Sequence, residues 1–199
     1  MTNMPAVFLD LQGTLGGDGL GDIREFAFYP RAVPALRLLG ENGFRSIVVT
    51  NQSRIGKGVF SYDQYEARVA ELRWELTDAE TRWDAIYCCP HRSIDDCACQ
   101  KPKLGMLNAA RQEFDLTLSD CYVVGDMGSD IVMAQAAGCQ GILVRTGAGE
   151  SSLAGYRHTW ASVESDFVAD DVLKAVRWII RHRSRGVSKQ IALDRSREK

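Results

Sequence analysis

Asp10 heads the run Asp10-Leu11-Gln12-Gly13-Thr14-Leu15, directly after the apolar segment Ala6-Val7-Phe8-Leu9. A carboxylate there would stand at the mouth of a sheet on a tight Gly-Thr turn; a structural aspartate at a turn fits the same pattern. Thr50-Asn51-Gln52-Ser53 follows the apolar Ser46-Ile47-Val48-Val49. A hydroxyl with exposed backbone N–H groups can cradle a phosphate, or can simply cap a helix. Lys101-Pro102 could hold an ammonium near a phosphoryl group, although an isolated Lys-Pro is commonly a surface pair. Gly125-Asp126-Met127-Gly128-Ser129-Asp130 ends a further apolar run with two carboxylates at i and i+4, hard oxygen ligands of the kind Mg²⁺ takes.

A second constellation is sharper. Cys89-Pro90-His91 and Cys97-Ala98-Cys99 together read C-x-H-x₅-C-x-C. Three thiolates and one imidazole are a tetrahedral Zn²⁺ set, and with all four positions supplied by protein the site would be structural. The competing reading is a group of scattered buried thiols. Cys88, Cys121 and Cys139 sit in apolar contexts and read as such core thiols.

The elements that must position these residues alternate in type. Strands are expected at Ala6–Leu9, Ser46–Val49, Ala85–Tyr87, Cys121–Val124 and Gln140–Val144. Helices are expected from Pro30 to Glu41, from the capping box Ser61-Tyr62-Asp63-Gln64 to about Thr77, over Lys103–Glu113, over Gly128–Ala137, and last behind an Asp170 cap with Val172, Leu173, Val176, Ile179 and Ile180 inward. This is an α/β pattern: a parallel sheet covered on both faces, with ligands beyond the carboxyl ends of its strands. Asp10, Thr50 and Asp126 all fall at such ends. The insertions after the first and third strands are short, so no cap domain is expected.

The chain has 199 residues, 45% apolar and 25% charged, with formal net charge -2. That is an ordinary globular balance with room for one core, and it does not favour a nucleic-acid partner. A single α/β domain is expected over residues 1–183, with a zinc loop at 89–99. Arg185, Lys189, Arg195, Arg197 and Lys199 make residues 184–199 a basic, frayed tail by expectation. The start carries no basic-then-apolar leader, and no run approaches the length of a membrane span. The expectation is a cytoplasmic monomer with a small-molecule phosphorylated substrate and no membrane or nucleic-acid partner. Cysteines in that compartment point to metal rather than disulfides.

Taken in order, the four polar segments resemble the motifs of the haloacid dehalogenase (HAD) superfamily, from Phe8 to about Val144. The resemblance implies a Rossmann-like three-layer sandwich and an aspartate nucleophile at Asp10 that forms an aspartyl-phosphate. It implies Mg²⁺ held by Asp10, the backbone carbonyl of Gln12 and Asp126, with Asp130 in support. Thr50 and Lys101 would hold the phosphoryl oxygens, while Asn51, Gln52, Ser53, Arg54 and Gln100 would line the substrate. The Cys/His loop just before the lysine is similar to that of the heptose bisphosphate and histidinol-phosphate phosphatases, so Zn²⁺ is implied as well.

Three positions depart from that pattern. Gln12 stands where these phosphatases carry an acid/base aspartate, and an amide exchanges no proton near neutral pH; losing such a group costs about 10²–10⁴-fold in rate. Gln100 stands where an arginine is usual and Arg54 where a glycine is usual, and the Asp18–Asp22 segment differs as well. Arg54 could restore a positive charge or point to solvent. Two classes stay open: a hydrolase acting on a sugar bisphosphate or similar metabolite, and a catalytically impaired phosphate-binding or regulatory protein.

Overall fold

The computed structural model describes residues 4–19 and 21–197, with side chains through residue 185. In chain order it contains β1 (Ala6–Leu9), α1 (Ala32–Glu41), β2 (Arg45–Asn51), α2 (Ser53–Gly56), α3 (Tyr62–Asp78), β3 (Ala85–Cys89), α4 (Gly105–Phe114), β4 (Tyr122–Gly125), α5 (Gly128–Ala137), β5 (Gln140–Val144), α6 (Gly149–Leu153), β6 (Phe167–Ala169) and α7 (Val172–Arg197). The strands form one six-stranded sheet in the order β3-β2-β1-β4-β5-β6, with every pairing parallel.

Strand alternation builds the layers. Val7 and Leu9 point into one core with Val48, Val124 and residues of α1, α3 and α7. Ala6 and Phe8 point the other way, into a core with Ile47, Val49, Val123 and residues of α4 and α5. Period-two burial on both faces requires helices on both sides, which is the three-layer arrangement. Helix α3 shows the local logic. Ser61 accepts from the Gln64 N–H while the Gln64 side chain accepts from the Ser61 N–H, closing a capping box. Tyr65, Val69, Leu72 and Leu76 then recur on the buried face, each side chain contributing about 1.5–3 kcal/mol by leaving water.

The expected strands and helices are all present; β1, α5 and β5 have the expected bounds and the others have shifted ends. One cap is reassigned: Asp171, not Asp170, accepts from the Lys174 N–H at 2.8 Å, and Asp170 instead pairs with the Lys174 ammonium. The sixth strand was not anticipated; Phe167-Val168-Ala169 is a short edge strand between acidic residues, too brief to show a period. Cys121 and Cys139 are buried thiols, while Cys88 is partly exposed. The frayed tail expected over residues 184–199 falls largely outside the described side chains. Among the described residues no helix is long and apolar enough to cross a membrane, and none forms a separate cap domain.

Candidate active site

The strand order reverses direction between β1 and β4, and in open parallel sheets such a switch point leaves a crevice at the carboxyl ends. The residue following β1 is Asp10, whose N–H donates to Val124 O at 2.9 Å. Asp126 follows β4, and Asp130 lies in the first turn of α5. Topology thus brings the three carboxylates together, with ligand oxygens within 4.8 Å of one another and all three residues buried. Lys101 reaches in from the loop before α4. Its Nζ donates to Asp10 Oδ1 at 2.5 Å and Asp130 Oδ1 at 2.7 Å.

Burial dominates the electrostatics here. It raises the Asp10 carboxyl to about 6 although Lys101 pulls the other way. It raises Asp126 to about 8, with Asp10 and Asp130 adding repulsion. Burial by itself would lower Lys101, yet the two carboxylates hold its ammonium above the ordinary range. One cation among three buried carboxylates leaves the cluster short of positive charge.

The pocket around Asp126 has the shape of an ion cradle. Asp126 Oδ2 accepts from the Ala148 N–H at 2.7 Å. Its Oδ1 is buried without a hydrogen-bond partner, a costly condition unless an ion sits there. Gly13 and Gly147 give it room: a Cβ at either would lie 2.1 Å or 2.3 Å from Asp126 Oδ2, and both residues have positive φ. Donors of this kind suit Mg²⁺. The loop after β5, with Gly147, Ala148 and the Ser152 hydroxyl on Asp126 O at 2.8 Å, is a contribution the sequence reading missed. Its only sequence signal is Gly147 and Gly149 just beyond a strand end.

Several residues expected around the substrate spend their polar groups inside the protein. Asn51 Oδ1 accepts from the Lys101 N–H at 3.0 Å, and its Nδ2 donates to Lys101 O at 3.3 Å. That amide clamps the lysine's backbone. Gln52, buried, donates from Nε2 to Gln12 Oε1 at 2.8 Å and to Thr50 Oγ1 at 3.0 Å. Gln12 Nε2 donates to Gly21 O at 3.0 Å and Asp18 O at 3.2 Å. Ser53 opens α2, and Arg54, on the same turn, lies 4.0 Å from Asp22. Asp22 is itself held by Arg24, whose hydrogen bonds bring the carboxyl down to about 2. Gln100 Nε2 donates to Ser93 Oγ at 3.4 Å.

Beside Lys101, the cysteine loop closes on itself. Cys89 Sγ lies 3.5 Å from Cys97 Sγ and 3.7 Å from His91 Nδ1. Cys99 Sγ lies 3.5 Å from Cys97 Sγ and 3.2 Å from His91 Nδ1. Tetrahedral Zn²⁺ with its usual bond lengths gives ligand–ligand edges of about 3.5–3.8 Å; three of the four separations match and the His91–Cys99 one is shorter. Against the upward push of burial, hydrogen bonds with the neighbouring thiols and backbone amides pull the Cys97 thiol down to about 7, favouring a thiolate. The loop is pinned at both ends, by Gln52 N–H on Cys89 O at 2.7 Å and Gly105 N–H on Ala98 O at 3.0 Å.

A HAD-hydrolase-like family model matches residues 98–175. The D-glycero-beta-D-manno-heptose-1,7-bisphosphate 7-phosphatase of Escherichia coli K12 is 38% identical over 155 residues, covering 73% of this chain and 81% of that protein. The corresponding phosphatase of Thermosynechococcus vestitus is 36% identical over 192 residues, covering 89% and 96%. The crystal structure of the D,D-heptose 1,7-bisphosphate phosphatase from B. bronchiseptica, complexed with magnesium and phosphate, superposes with a TM-score of 0.82 at 28% identity, covering 90% of this chain and 99% of that one. This chain belongs to the haloacid-dehalogenase-like phosphatases, in the family of the heptose bisphosphate phosphatases, and is a phosphoric monoester hydrolase.

Proposed function

We propose that the chain removes one phosphate from a sugar bisphosphate of the D-glycero-D-manno-heptose 1,7-bisphosphate type, with Asp10 as the nucleophile. The observation that carries this reading is the buried convergence of Asp10, Asp126, Asp130 and Lys101 at the switch point, with Asp126 Oδ1 lacking a partner. Asp10, the Gln12 carbonyl and Asp126 would hold Mg²⁺, with Asp130 beside them. Bound there, the ion supplies charge neutralisation between two anions, a carboxylate and a phosphate.

The protein's own groups do the rest. Asp10 Oδ attacks phosphorus as the bond to the sugar oxygen breaks, that oxygen taking a proton from water; a water molecule then attacks the phosphorus of the aspartyl-phosphate, releasing inorganic phosphate and the free Asp10 carboxylate. Lys101, now bonded to Asp10 and Asp130, supplies a positive charge that can pass to the phosphoryl oxygens as they arrive. Thr50 Oγ1 already accepts from Gln52, so its own hydrogen is free to be donated to a phosphoryl oxygen. Asn51 keeps Lys101 in place by gripping its backbone.

Zn²⁺ on Cys89, His91, Cys97 and Cys99 would be structural. Its role is to fix the loop that ends at Lys101, two residues past Cys99. A second reading, binding of a phosphorylated sugar without turnover, is favoured by Gln12 in place of an acid/base carboxylate.

The test is release of inorganic phosphate from D-glycero-D-manno-heptose 1,7-bisphosphate with Mg²⁺, for the wild type and Asp10→Asn. Turnover abolished by Asp10→Asn with an unchanged circular dichroism spectrum is the expected result. Calorimetric binding of the sugar with no turnover would favour the second reading. Turnover retained in Asp10→Asn would remove Asp10 from the mechanism.

A further inference from the structure

Gln12 cannot act as an acid or base near neutral pH, yet it is buried and its amide is engaged. Its two amide hydrogens go to the carbonyls of Asp18 and Gly21. These acceptors determine which way the amide faces: turned over, Oε1 would meet two carbonyl oxygens. With Nε2 committed, Oε1 faces Gln52 and requires a donor, which Gln52 Nε2 supplies at 2.8 Å. The second Gln52 hydrogen then goes to Thr50 Oγ1 at 3.0 Å. Two backbone carbonyls therefore set the direction of the whole chain of hydrogen bonds, ending in a threonine hydroxyl whose hydrogen points onward. Both amide NH₂ groups have used their donor capacity.

The two carbonyls flank a place where the backbone comes close to the carboxylates. A Cβ added at Gly19 would sit 3.4 Å from Asp126 Oδ2 and 3.9 Å from Gln12 O. Next to Gly21, Asp22 carries the Arg24 and Arg54 ion pairs. Gln12 is thus hydrogen-bonded on one side to the backbone that flanks Gly19 and, through Gln52, on the other side to Thr50 on β2.

We propose that Gln12 is a positioning residue: through Gln52 it orients Thr50, and through the Asp18 and Gly21 carbonyls it anchors the backbone beside Gly19, which faces Asp126. It does not donate to the leaving oxygen, because both of its donors are already in use. The proposal rests on the phosphatase reading only for what Thr50 is oriented toward; the hydrogen-bond chain itself can be tested without substrate.

The experiment begins with metal-free and Mg²⁺-loaded wild type. The side-chain NH₂ protons of Gln12 and Gln52 should exchange with D₂O at least about 10-fold more slowly than those of exposed glutamines, as buried, paired amides do. Exchange at the exposed rate would overturn the proposal without any variant having to fold.

Gln12→Glu keeps the size and removes both donors. Near neutral pH, backbone amides of residues 19–24 should then exchange about 10-fold or more faster than in wild type, after correction for intrinsic rates. The difference should shrink as pH falls and the carboxyl gains a proton to donate. Equal exchange at every pH would overturn the proposal.

Activity gives the last discrimination, on a generic aryl phosphate with Mg²⁺. Gln52→Glu makes Thr50 donate to the new carboxylate and should lower kcat about 10-fold or more. Gln12→Asp reaches neither carbonyl and should also lower kcat. A gain of about 10-fold in Gln12→Asp with unchanged exchange over residues 19–24 would show a vacant acid/base position instead. Failure of every protein to hydrolyse phosphate esters, with the amide protection intact, would count against the phosphatase reading and leave the hydrogen-bond chain standing.

Discussion

Replacing Lys101 by methionine isolates the charge balance of the site, because Met keeps the length of the stem and removes only the ammonium. Lys101 and its two carboxylate partners have side chains that are 4%, 10% and 1% exposed, so water cannot take over the lost interaction. Removing one partner of a buried pair costs about 3–5 kcal/mol, and here two carboxylates are left without their cation. With an m-value of about 2–3 kcal/mol/M for a chain of this size, the urea midpoint in chelator should drop by about 1–2.5 M near pH 7. Two routes should recover the loss. Lowering the pH lets Asp10, already at about 6 with Lys101 present, take a proton. Adding Mg²⁺ supplies two positive charges to a cluster that is more negative in the variant, so the stabilisation, RT ln(1 + [Mg²⁺]/Kd), should exceed that of wild type. Urea titrations of both proteins in chelator and in saturating Mg²⁺, at neutral and acid pH, read all of this. A midpoint within about 0.2 M of wild type in chelator, or a deficit that Mg²⁺ leaves unchanged, would refute the account of Lys101 as the neutralising cation.

Other consequences can be checked directly. Metal analysis should find about one Zn²⁺ per chain, and Cys97→Ser should lose it and lower Tm by roughly 5 °C or more, because metal binding free energy is folding free energy; equal Tm values in chelator are expected. In metal-free protein Asp10 and Asp126 titrate at about 6 and about 8, above their unfolded values. Their contribution to stability is therefore complete below about pH 4 and lost as pH rises through 6 and 8, while Mg²⁺ binding tightens over the same interval; denaturant titrations and calorimetry across that range check both, with Asp126→Asn expected to flatten the slope. Gly147→Ala would place a Cβ 2.3 Å from both Asp126 Oδ2 and the Gly13 Cα at a φ of +58°, so its Mg²⁺ affinity should fall about 10-fold or more, read as a smaller Mg²⁺-induced rise in Tm.

Much of this protein is written in local pattern. Apolar runs ending at Asp10, Thr50 and Asp126 announce buried strands with polar ends, since only a strand covered on both faces is apolar throughout. The Ser61–Gln64 box and the spacing of Tyr65, Val69, Leu72 and Leu76 specify α3 because capping and the 3.6-residue period act within one helix. The C-x-H-x₅-C-x-C spacing suggests a metal-ligand set from local pattern because the four groups lie within eleven residues, from the end of β3 through the loop that follows it. What required the tertiary structure was every relation across the sheet. That Asp10 and Asp126 end adjacent strands depends on the order β3-β2-β1-β4-β5-β6, which no local signal carries. The Ala148 amide on Asp126, 22 residues away, depends on β5 pairing beside β4. The amide of Asn51 around the Lys101 backbone spans 50 residues. Gln12 is the sharpest case. By residue type it is a missing acid, and only the fold, by bringing Gln52 and the carbonyls of Asp18 and Gly21 against it, turns an amide's two donors and one acceptor into a fixed orientation.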